Sequence, residues 1–279
     1  MSTNNTLIAV SNDAPAGFGL INHTSGQAAG KLMAYRSFPA GLSVSVSVNI
    51  SWNLGRSWSR KDKRFMKLYS YFRSSAAYRV RIALNLKGLD YEIVPVHLVR
   101  GGGENNSPDY LEINPLALVP ALQTQEGPLI QSLAILEYLE EVCPSPALLP
   151  QDPVGRARVR AIAQTIASEI HPLNNLRVLD YLAGKMGADE SVKLAWYSYW
   201  IHDGLSGIEK LLSGSPATGN FCHGDAPSFA DCCLVPQVYN ARRFDCPLDA
   251  FPLIRSIVGQ CETLPAFRRA APENQPDAE

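Results

Sequence analysis

Three short clusters in this chain carry residue types suited to holding an anion. The first is Arg73-Ser74-Ser75-Ala76-Ala77-Tyr78-Arg79. It lies where a predicted strand gives way to a predicted helix. Free backbone N–H groups and the helix dipole make such a point an anion site. A hydroxyl there can also donate to a thiolate or a carboxylate. A helix cap explains one of the two serines, and for the cluster taken alone the cap is the commoner reading. The second cluster, Gln131-Ser132, opens another predicted helix and can receive a carboxylate. The third is Val119-Pro120, where a proline in an apolar strand implies an edge or a special turn, and where a cis bond would be a deliberate feature. Metal chemistry has a weaker basis. Cys143, Cys222, Cys232, Cys233, Cys246 and Cys261 include no C-x-x-C pair, and Cys222-His223-Gly224-Asp225 has no partner cluster. No metal is expected, and the cysteines read as reduced.

The elements that must position these clusters change texture along the chain. Residues 67–72 alternate and are aromatic, which predicts a strand. A helix follows over 76–87, closed by Gly88, and then a strand over 91–98. That unit of about 30 residues implies a parallel strand pair. A strand about 118–122, a turn at 125–127, a short strand over 128–130 and a helix over 133–142 complete an α/β domain at 66–143. Residues 144–152 are proline-rich and read as a linker. From 153 to 272 only helices are predicted. One carries Val159, Ile162, Ala163, Ile166, Ile170 and Leu173 on one face. Others cover 190–212, 252–261 and 265–270, and Ser228-x-x-Asp231 resembles a capping box ahead of 232–241. Residues 273–279 read as a tail. The fold class is α/β followed by all-α.

Length and charge narrow the function. The 279 residues have a formal net charge of -1, without the basic excess of a duplex-binding protein, and no run of 18 apolar residues. No nucleic acid and no membrane are expected as partners. The near-zero charge is a cancellation. Residues 1–65 hold seven Lys and Arg against two Asp, with no Glu and no Cys; residues 66–279 hold 18 basic and 24 acidic residues. The Ser-rich extension lacks the apolar core of a secretory signal. It reads as disordered or non-native, with Met66 as the functional start. Its run Leu42–Ile50 alternates with period two and allows an edge strand. The basic run at 60–64 reads as a solvated tail.

Taken together, the three clusters and the following helical domain resemble the glutathione transferase family, whose fold sets a thioredoxin-like βαβ-ββα domain before an all-helical one. The run Ser74-Ser-Ala-Ala-Tyr-Arg-Val-Arg-Ile-Ala-Leu84 is similar to the zeta-class signature. Further similar stretches are Asn114–Pro120, Gln131–Leu139, His171–Leu176 and Leu234–Phe244. The resemblance runs from Met66 to near Asp277. One departure is Ala76, which stands where the signature has cysteine.

The resemblance implies an enzyme with glutathione as cofactor. The implied reaction is cis–trans isomerisation of maleylacetoacetate to fumarylacetoacetate in tyrosine and phenylalanine breakdown, by thiolate addition, rotation and elimination. It implies Ser75 as donor to the thiolate, with Ser74 as helper and Arg73 beside them. Ser74, Ser75, Asn105, Val119, Gln131, Ser132, His171 and Asn175 would contact glutathione. Arg73, Arg243 and Arg177 would hold a small dicarboxylic keto acid. A cytoplasmic homodimer is implied as well. Maleylpyruvate isomerisation, broader transferase or α-halo-acid activity, and a non-catalytic binding role stand as alternatives. Leu176, where the maleylpyruvate pattern has Arg after the Asn pair, favours maleylacetoacetate.

Overall fold

The computed structural model describes residues 30–37, 43–50 and 66–279. In the extension, β1 (Gly30–Ser37) and β2 (Ser43–Ile50) pair antiparallel, with Gly30 opposite Ile50. The alternating run thus takes the strand form its period allows. The rest of 1–65, including the basic run, lies outside the described residues, and so does the expectation of disorder or non-native origin placed on it.

From Met66 onward the α/β pattern folds much as its periodicity predicts. β3 (Lys67–Ser70) leads into α1 (Ser75–Leu86), and β4 (Glu92–Pro95) pairs parallel with β3. Ser74 is the N-cap of α1, its Oγ accepting the Ala77 N–H at 3.2 Å. Lys87 ends the helix, and Gly88 follows at φ +61°, a left-handed conformation that glycine adopts without strain. β3 stops two residues short of the predicted 72. Arg81, buried in α1, takes the carbonyls of Tyr71 and Phe72 instead. A short helix α2 (Pro108–Ile113), capped by Ser107, was not evident from periodicity. β5 (Ala121–Thr124) begins after Pro120, so the proline precedes the strand rather than interrupting it, and the Val119–Pro120 bond is cis. β6 (Gly127–Ile130) and α3 (Ser132–Val142) follow. The sheet order is β4-β3-β5-β6, with β5 antiparallel to both neighbours.

The linker is tied down. Lys87 Nζ donates to Glu140 at 2.8 Å and to the carbonyls of Cys143 and Pro146. Glu140 in turn accepts the N–H groups of Leu148 and Leu149. Beyond it, α4 (Pro153–Gln164) passes into a π-helical turn (Thr165–Ile170) and a 3₁₀ turn (His171–Asn174). The helix predicted as far as 173 therefore breaks where Pro172 has no N–H to give. α5 (Leu176–Gly184), α6 (Glu190–Ser213), α7 (Phe229–Arg243), α8 (Pro252–Thr263) and α9 (Pro265–Ala270) complete the domain. The capping box at Ser228 and Asp231 is present. Asp231 also accepts the Cys222 N–H at 2.8 Å, so the ligand-like run at 222–225 serves the start of α7.

One apolar core joins both domains, with Leu84, Ile135, Ile166, Leu205 and Val238 all buried in it. A smaller cluster on the sheet gathers Tyr71, Phe72, Val96, Tyr110 and Val119. No helix among the described residues is long and apolar enough to cross a membrane.

Candidate active site

A cavity of about 190 Å³ opens where α1, the 118–120 turn, the start of α3 and the break after α4 converge. Val119, Gln131, Ser132, His171, Asn175 and Arg177, all predicted from sequence, line it. Ala76 and Arg79 bring the first turns of α1 to the same wall. Two helix N-termini thus reach one cavity, and each carries partial positive charge. Gln131 sits at φ +68° just before α3. Neither backbone group of Val119 has a hydrogen-bond partner among the described residues, although the residue is buried. An unpaired buried backbone is costly unless something completes it.

Arg79 went unnoticed in the sequence clusters as a functional side chain. It is 2% exposed, and its Nη1 donates to Ser132 Oγ at 3.2 Å. Its Nε and Nη2 are enclosed with no partner. Burial pushes this guanidinium's pKa down. The available signal is a pair of charges, 79 and 81, inside the otherwise apolar stretch Tyr78–Leu84. A second missed residue is Asn240 of α7, whose Nδ2 donates to Ser75 Oγ at 2.6 Å.

The other predicted residues stand off the cavity wall. Ser74 is half-buried at the α1 cap, two residues before Ala76. Ser75 is 3% exposed and its hydroxyl is engaged by Asn240. Asn105 donates from Nδ2 to the Ala117 carbonyl at 2.8 Å. Arg73 and Arg243 are exposed and lie over the rings of Phe72 and Phe244. Both also act on Tyr71. Burial raises that hydroxyl's pKa, Arg73 and Arg243 oppose the rise, and Glu279 and Asp277 add to it.

His171 is held neutral. Burial first, and then the charges of Arg79 and Arg177, push its pKa down to about 3. The unfolded chain, with an ordinary histidine near 6.5, binds more protons between those two values. Stability from this residue is therefore full above about pH 6.5 and is lost as pH falls toward 3. The thermal midpoint should drop between pH 7 and pH 4, and His171→Gln should flatten the drop. Equal slopes in both proteins would remove His171 as the cause.

Residues 65–141 match the family model "Glutathione S-transferase, N-terminal domain". A maleylacetoacetate isomerase of Pseudomonas aeruginosa is 51% identical over 213 residues, which is 76% of this chain and 98% of that protein. A maleylpyruvate isomerase of a Ralstonia species is also 51% identical, over 76% of this chain and all of its own length. A solved holo structure of a maleylpyruvate isomerase, described as a bacterial zeta-class glutathione S-transferase, superposes with a TM-score of 0.74 at 50% identity, covering 76% of this chain and 100% of that one. A maleylacetoacetate isomerase from Methylobacterium extorquens AM1, solved with malonate and glutathione, gives 0.74 at 43%, covering 76% and 99%. A four-stranded mixed sheet, an all-helical second domain and a cavity between two helix N-termini define a glutathione transferase. Within that class, the chain belongs to the zeta family of maleylacetoacetate and maleylpyruvate isomerases.

Proposed function

We propose that the chain is a glutathione-dependent cis–trans isomerase that converts maleylacetoacetate to fumarylacetoacetate. The observation that carries this reading is the convergence of the α1 and α3 N-termini, the unpaired Val119 backbone and the Arg79–Ser132 pair on one cavity. These groups fit glutathione. The Val119 backbone suits its cysteinyl amide, and Gln131 with Ser132 suits its γ-glutamyl carboxylate. Asn105, His171 and Asn175 are assigned to its remaining polar atoms.

Glutathione, when bound, supplies the sulfur that adds to the cis double bond, lets it turn as a single bond and leaves from the trans product. A free thiol near pKa 8.5 is mostly protonated at neutral pH, so the protein must favour the anion. The α1 N-terminus does so through its dipole, and Ser74 through its hydroxyl. The donor role passes from Ser75 to Ser74 in this reading, because Ser75 is 3% exposed in the α1–α7 contact whereas Ser74 is half-buried. Arg73, Arg243 and Arg177 are assigned to the carboxylates of the keto acid, since a guanidinium binds them bidentately. Ala76 removes the signature thiol, and the reaction needs no thiol from the protein because glutathione supplies the sulfur. The reading also includes a cytoplasmic homodimer, checked by solution mass and by fractionation.

Maleylpyruvate is the second reading, on the strength of the 51% identity to an enzyme named for it. Assays with both substrates, with and without glutathione, separate the two. Turnover of maleylacetoacetate at least tenfold faster, and only with glutathione, is expected. Turnover without glutathione, or none with either substrate, would sink the proposal.

A further inference from the structure

The last residues of the chain fold back onto the strand–helix turn of the site. Gln275 Nε2 donates to the carbonyls of Arg269 and Ala271, which anchors the segment to the end of α9. Asp277 then reaches Phe72, whose N–H donates to its Oδ2 at 2.9 Å. Glu279 pairs with Arg100 at 2.5 Å and with His97 at 3.4 Å. The next peptide, Phe72–Arg73, is held as well. Its carbonyl accepts from Arg81 Nη2 at 3.0 Å, while Arg81 Nε donates to the Ala270 carbonyl at 2.9 Å. Arg81 is fully buried, and Nη1 also donates to Ser70 Oγ. Two charged side chains therefore hold the peptide units on either side of the Phe72 Cα, and the residues that follow are Arg73 and Ser74.

We infer that Asp277 is a positioning residue for the Arg73–Ser74 turn: its carboxylate fixes the Phe72 peptide and so sets where the Ser74 hydroxyl and the Arg73 guanidinium stand. The inference rests on the proposed thiolate role of Ser74. Backbone at a strand end has no ladder partner to hold it, so a charge-assisted hydrogen bond from outside supplies the constraint. A displacement of about 1 Å in a catalytic donor costs on the order of a hundredfold in rate.

The test compares Asp277→Ala, Asp277→Asn and Glu279→Gln in the full chain. Two readouts serve: the ultraviolet absorbance of bound glutathione thiolate titrated against pH, and kcat with KM for the keto acid. Asp277→Ala should lose most of the thiolate signal at pH 7 and at least tenfold in kcat, with its thermal midpoint near wild type. Asp277→Asn keeps an acceptor and should stay within about threefold. Glu279→Gln, which does not touch the turn, should match wild type. Asp277→Ser, too short to reach Phe72, replaces the alanine variant if that one does not fold. An unchanged thiolate signal in Asp277→Ala overturns the inference, and so does an asparagine variant as impaired as alanine. If wild type itself binds no glutathione, the proposed function has failed and this inference falls with it. If wild type ionises the thiol and Asp277→Ala does too, only the positioning role has failed.

Discussion

Ser74→Ala is expected to lower glutathione-dependent turnover by about 10²–10³-fold, the usual cost of removing one hydrogen bond aimed at a developing or stabilised anion. The geometry supports a value in that range. Ser74 Oγ already accepts the Ala77 N–H, so one lone pair is used in capping while the O–H stays free to donate. The variant loses both functions. Its stability should fall by about 1 kcal/mol, the typical cost of an N-cap serine. That loss cannot account for a hundredfold drop in rate. Ser75→Ala makes the comparison decisive. Its hydroxyl faces Asn240 across the α1–α7 contact, so its removal should loosen that contact and cost less than tenfold in kcat. A larger kinetic loss at Ser75 than at Ser74 would return the donor role to Ser75. Single-turnover rates at saturating glutathione provide the measurement.

The largest stability effect should come from Lys87. Its ammonium is fully enclosed and Glu140 nearly so, and together they fasten α1, α3 and the linker. Lys87→Met leaves the Glu140 carboxylate buried without its cation, which costs about 3–5 kcal/mol. A domain of this kind is stable by about 5–15 kcal/mol in all, so the variant should unfold at a much lower urea concentration. The double variant Lys87→Met/Glu140→Gln removes the stranded charge and should recover part of the loss, although the N–H groups of Leu148 and Leu149 would then have a weaker acceptor. A single variant within 1 kcal/mol of wild type would show that the clamp does not secure the linker.

Local pattern made much of this protein legible. Ser74 ahead of an apolar helix and Gly88 behind it gave α1 its limits to within a residue. Ser228 with Asp231 marked the start of α7. The proline-rich run at 143–150 marked the change from α/β to all-α. Where prediction failed, a partner from elsewhere in the chain intervened. β3 ended early because Arg81 took the next two carbonyls, and the helix expected to reach 173 broke at Pro172. α2 is short and lacks enough turns to display a period.

By itself the sequence determined the elements, the switch between domains and the two helix starts that make an anion site, because caps, breakers and apolar period act within a few residues of one another. Only the tertiary structure decided which groups meet. Asn240 reaches Ser75 across 165 positions, Arg81 reaches Ala270 across 189, and Asp277 reaches Phe72 across 205. Nothing in the spacing of a single Asp or Asn says which distant peptide it will hold. That choice follows from how α1, α7 and the last residues pack around one core, and it turns a pair of adjacent serines into a half-buried cap and a buried hydroxyl that accepts from Asn240.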